Sequence, residues 1–214
     1  AATANRTITM NGTLNADLID VTYGVTLDLK KDLDIATLQI GGGTMGSNTQ
    51  ASAVNVGTGV TLTSTTGVNL GGANGQGALA GNLNINGGTA VLAAASFLDG
   101  SDSGITLSGG GTLTMGGDIT GTSGTLTLGE GTLNSSAAWT TSVGVALNAA
   151  SGKTATVDTT GGDITLNGAF TGSGNLLKTG TGTLSIGAAS AGYTGTVTLA
   201  SGTLSFQDTA DGYK

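Results

Sequence analysis

Along nearly the whole chain, aliphatic residues alternate one for one with small polar ones. Val25-Thr26-Leu27-Asp28-Leu29, Val54-Asn55-Val56, Leu83-Asn84-Ile85, Ile105-Thr106-Leu107, Leu126-Thr127-Leu128, Ile164-Thr165-Leu166 and Val197-Thr198-Leu199 are representative. A period of two puts the aliphatic residues on one side of an extended strand and Thr, Asn or Ser on the other. No comparable stretch keeps a helical period. Each run lasts three to five residues before a glycine, often within Gly-Gly or Gly-x-Gly, permits a bend. Strands this short cannot cover the core of a two-sheet sandwich of 214 residues. They suit an all-β solenoid, in which every coil turns corners and lays its strand on the coil below at about 4.8 Å.

Internal echoes set the coil length. Gly116-Gly117-Asp118-Ile119-Thr120 recurs 45 residues later as Gly161-Gly162-Asp163-Ile164-Thr165, and Gly182-Thr183-Leu184-Ser185 recurs 20 residues later as Gly202-Thr203-Leu204-Ser205. Both agree with rungs of about 20–23 residues, roughly nine or ten in all, in a rod about 45 Å long. A single solenoid domain is expected over residues 1–214, with charged rungs or a cap at 1–34, uncharged rungs at 35–98 and C-terminal rungs at 99–214.

Composition narrows the chemistry. Glycine accounts for 41 residues and proline for none. Without proline or a Gly-x-y period the chain is not collagen, and its β-branched richness and low charge do not suit disorder. Proline would delete a ladder donor, so its absence fits continuous strand pairing. With no Cys or His, the usual zinc, iron–sulfur, haem and triad arrangements have no ligands or bases. No cofactor, metal or enzymatic activity is expected. A net charge of −7 with six cations offers no stripe for phosphates, which argues against nucleic acid. The longest apolar stretch, Ala90–Leu98, is far short of the roughly 20 residues needed to insert across a membrane.

The charges are unevenly placed: Arg6, Asp17, Asp20, Asp28, Lys30, Lys31, Asp32 and Asp34 precede a span, Ile35 to Leu98, with none. The outward residues there must be Thr, Ser, Asn, Gln and Gly. Such a surface is hydrated as it stands, packs against other chains, or fits a neutral ligand such as a glycan or ice. The open edges of a solenoid's end coils invite pairing unless they are blocked, and complementary ends would give a head-to-tail homopolymer. The opening Ala1-Ala2-Thr3-Ala4 has the small residues that cleavage of an export signal leaves, so secretion is expected.

A family resemblance enters at 175–204. Leu176, Leu177, Lys178, Gly180, Gly182, Thr183 and Leu184, then Tyr193-Thr194-Gly195, then Gly202-Thr203-Leu204, resemble the autotransporter-associated β-strand repeat. The resemblance covers one full copy. It implies a right-handed parallel β-helix exported to a bacterial cell surface, as in adhesin-like passenger domains, and no catalytic residues. The sequence holds no translocator barrel, so a passenger fragment or a small secreted protein is expected.

Individual residues add candidates. Asp99-Gly100-Ser101-Asp102-Ser103-Gly104 is rich in oxygen ligands, but it lacks the later Glu of a calcium loop and reads as a turn. Asp32 and Asp34 flank Leu33 and share one side of a strand, either as paired carboxylates or as part of a solvated charged face. Asn82, Asn84 and Asn86 form one outward row, suited to an amide ladder or a contact surface. Trp139 is an interface or glycan candidate, with packing in the core or at a corner the alternative. Tyr193 is placed at a coil corner and Tyr213 at a contact with a neighbour.

The function expected is that of a secreted structural subunit of an extracellular filament, sheath or matrix. An adhesin passenger that binds glycans or surfaces is the alternative. A third reading, ice binding, needs a regular Thr-x-Thr column on one face, and the degenerate repeat argues otherwise.

Overall fold

The computed structural model describes residues 6–12, 14–42, 51–71, 79–99, 102–121, 123–187 and 192–206. Among them there is no helix, and every pairing between strands is parallel. Nine strands stack in one sheet and define a first face: Arg6–Met10, Val25–Leu29, Ser52–Gly57, Gly81–Asn86, Gly104–Ser108, Thr125–Leu128, Gly144–Leu147, Phe170–Gly172 and Gly192–Tyr193. They mark levels 1 to 9 of a parallel β-solenoid of about eight turns, roughly 38 Å along the stack.

This is slightly fewer turns than the repeat predicted, and the coil length varies from turn to turn. One turn takes 19 residues between Leu126 and Val145 but 29 between Ala53 and Asn82. The echoes fall where the spacing predicts. Thr183 pairs with Thr203 one turn on, and the two Gly-Gly-Asp segments occupy the same corner two turns apart.

The remaining strands form a second sheet that folds into two faces. On levels 1 and 2 it is one long strand per level, Asn15–Val21 and Leu33–Ile40. From level 3 it divides: Leu33–Ile35 pair with Leu62–Ser64 on the second face, while Leu38–Ile40 pair with Val68–Leu70 on the third. The split is made by Thr65-Thr66-Gly67. Ser64 Oγ lies 2.7 Å from Gly67 O and 2.9 Å from Ala36 O, so its hydroxyl ties the corner to the level below. Gly67 has φ +91°, and a Cβ there would meet Ala95 O at 1.9 Å. The coil therefore starts two-sided and becomes three-sided.

Inward residues stack in columns that run through the levels. One column on the first face is Leu27, Val54, Leu83, Ile105, Leu126, Val145 and Phe170, all buried. Each rung has only two or three inward aliphatic residues per face, too few for a core by itself, so burial depends on the rung above and the rung below.

The corners are tied across levels by side chains. Thr61 N–H donates to Asp32 Oδ1 at 2.8 Å, Thr140 N–H to Asp118 Oδ1 at 2.7 Å, and Thr183 N–H to Asp163 Oδ1 at 2.7 Å. In each case a carboxylate accepts an N–H from the next level where the ladder is interrupted.

Candidate assembly interface: the end levels

An interior level buries its inward residues between two neighbours, and an end level has only one. Ile8 pairs with Leu27 in the core column described above, yet is 54% exposed where Leu27 is 8%. Leu14 precedes Asn15, which pairs with Asp34, so Leu14 stands in register over buried Leu33 and is itself exposed. At the other end, Leu199 pairs with Lys178 and Phe206 with Ile186; both are about half exposed where their partners are buried.

The two ends terminate the same columns. Leu14 heads, and Leu199 closes, the column Leu33, Leu62, Ala90, Leu113, Leu133, Val157 and Lys178. Ile19 heads, and Phe206 closes, the column Leu38, Val68, Ser96, Ile119, Thr141, Leu166 and Ile186. Level 1 carries Arg6, Asp17 and Asp20, and level 9, over 192–206, carries no charge. Burial pushes the Asp20 carboxyl above its ordinary range.

Lys178 is the exception within a core column. It is 0% exposed, and its ammonium donates to the carbonyls of Thr179 (2.7 Å), Gly180 (3.0 Å) and Ser201 (3.1 Å). Three protons meet three acceptors, which is how a cation persists in an apolar stack. Desolvation lowers its pKa, with Asp158 and Asp163 acting in the opposite direction. Tyr193, in the same 175–204 segment, packs on Phe170 with ring centroids 4.9 Å apart, and its Oη lies 3.0 Å from both Gly174 O and Thr196 O. It turns a corner, as the sequence indicated.

The other candidates separate. Asn84 joins a ladder along the stack: its amide donates to Asn55 Oδ1 at 2.9 Å, and Asn55 donates to Asp28 Oδ1 at 2.6 Å. Asn82 and Asn86 share its outward row, Asn82 half-buried and Asn86 exposed. Trp139 is 2% exposed, inside the coil on the third face, which leaves its ring no outer surface to offer a partner. Tyr213 lies outside the described residues. Asp32 is engaged as a corner acceptor. Asp34 instead shares a shallow groove of about 440 Å³ with Asp17, Ile35 and Thr65. Ser103 Oγ accepts the Gly81 N–H at 3.1 Å. Among the described residues no group of three metal-ligating side chains gathers.

Neutrality follows faces rather than one stretch of sequence. On the third face above level 1 the outward strand residues Gln39, Asn69, Phe97 and Thr120, and then Thr140, Thr165, Ser185 and Ser205, are uncharged, and the second of these rows ends on Asp118 at a corner. Asp118, Glu130, Lys153 and Asp163 sit at corners instead. The fold and its end levels define a parallel β-solenoid whose apolar columns reach both ends. No family model, curated protein or solved structure matches the chain.

Proposed function

We propose that the protein is a secreted bacterial structural subunit whose solenoids stack end to end into an extracellular filament, sheath or matrix. The observation that carries this reading is the pairing of ends: Leu199 and Leu14, and Phe206 and Ile19, terminate common columns. A second copy displaced along the stack would set Leu199 over Leu14 and Phe206 over Ile19, parallel edge against parallel edge. That operation is a translation with rotation about the axis, so the contact is heterologous and does not close, which is the geometry of a fibre. The described residues of level 9, 192–206, carry no charge to set against Asp17 and Asp20. The resemblance of 175–204 to passenger-domain repeats supports a place at the cell surface.

Electron microscopy and light scattering of the purified chain test the proposal. Filaments one solenoid wide, lost in Leu199→Glu, are expected. A monomer that persists at high concentration would exclude it.

A further inference from the structure

End-to-end stacking leaves the second face free, and that face carries an ordered array of hydroxyls. The register Thr61, Thr89, Thr112, Thr132, Thr156 places five threonines in one outward column on levels 3 to 7. Leu177 takes the position on level 8 and Thr198 on level 9. Two residues along each strand runs a second column: Thr63, Val91, Thr114, Asn134, Asp158 and Thr179. The pairing is continuous, so the two columns form a grid with steps of about 4.8 Å along the stack and roughly 6.7 Å along the strand.

Two observations indicate what such a grid would meet. Among the described residues, none of the five hydroxyls in the first column bonds to protein, so all are free for an outside partner. Over levels 3 to 9 the first column has no charge, and neither column has an aromatic ring of the kind that stacks on sugars.

Threonine is stiff at χ1, so its methyl and hydroxyl hold fixed positions and lose little freedom when a partner orders against them. A partner that rewards fixed, neutral, evenly repeated methyls and hydroxyls is a lattice of water. In ice the oxygens repeat at a spacing close to that of stacked strands. Hydroxyls can occupy lattice sites while methyls fill the hollows between them. We infer that the second face, over levels 3 to 7, is an ice-binding surface.

The test is thermal hysteresis and ice-crystal shaping by the full chain, with circular dichroism as the check on folding. Hysteresis and faceted crystals are expected, with at least a several-fold loss in Thr112→Lys and no change in Thr165→Lys on the third face. Where the lysine variant does not fold, Thr132→Tyr keeps strand propensity while breaking the flat surface. Absence of hysteresis and shaping in the unaltered chain overturns the inference. Equal loss in the two lysine variants overturns it too, as does binding to microcrystalline cellulose or chitin without ice shaping. None of these results depends on whether filaments form.

Discussion

The ammonium of Lys178 lies 3.1 Å from the carbonyl oxygen of Ser201, one turn further along the coil. A single buried cation thus joins level 8 to level 9, the last described level. It also explains why a lysine can occupy a column otherwise filled by Leu, Val and Ala. The side chain lies among apolar neighbours while its charge reaches the inner side of a corner lined by carbonyls.

Lys178→Met keeps the length and volume but removes the donors. We expect it to destabilise the C-terminal levels by about 1–3 kcal/mol, the usual cost of orphaned buried polar groups, and hydrogen exchange over 192–206 would locate the loss. The folded-state pKa lies below the unfolded value of 10.5, so the unfolded chain binds more protons as the pH approaches that value. Wild-type stability should therefore gain on the variant as pH rises toward 10.5, measured by denaturant titration at neutral and alkaline pH.

Asp163→Ala removes the acceptor for Thr183 N–H, and Asp118→Ala the acceptor for Thr140 N–H. Both are exposed, so each change should cost about 1 kcal/mol, with Asn restoring most of it. Two turns separate the sites, so the double variant should lose the sum. A sum that fails would mean that the corners are coupled.

Gly67→Ala and Gly59→Ala both place a side chain at positive φ, +91° and +74°, but only the first meets backbone, at Ala95 O. Gly59→Ala should cost about 1–2 kcal/mol. Gly67→Ala should cost about 1–3 kcal/mol more from overpacking at the two-to-three-sided transition. Equal thermal shifts would contradict this account of the corner.

Phe206→Asp and Ile8→Asp replace half-exposed residues, so the single chain should keep its stability within about 0.5 kcal/mol. End-to-end association should nevertheless be abolished by either one, read by sedimentation velocity. A stability loss well beyond that range would show that these side chains pack within their own chain.

Much of this architecture was legible in the alternation. Leu27, Val54, Leu83 and Ile105 were inward because their polar neighbours had to point out, and the Gly-Gly-Asp echo gave the mean turn. The length of each single turn was not legible, since loops at the corners make the turn from Ala53 to Asn82 longer than the one from Leu126 to Val145. Nor was the role of Trp139: a lone aromatic gives no periodic signal, and only its pairing with Ile164 places it inside.

By itself, the sequence determined the strand character, the inward set and the parallel stacking, because these follow from side-chain period, glycine bends and the absence of proline. Tertiary structure alone decided which residues share a column. Thr61, Thr89, Thr112, Thr132 and Thr156 stand at unequal distances of 28, 23, 20 and 24 residues. The irregularity hides the array from any search for a fixed repeat. Loops at the corners absorb the difference in length, and the backbone ladder restores the register, because each strand can satisfy its hydrogen bonds only in step with the one below.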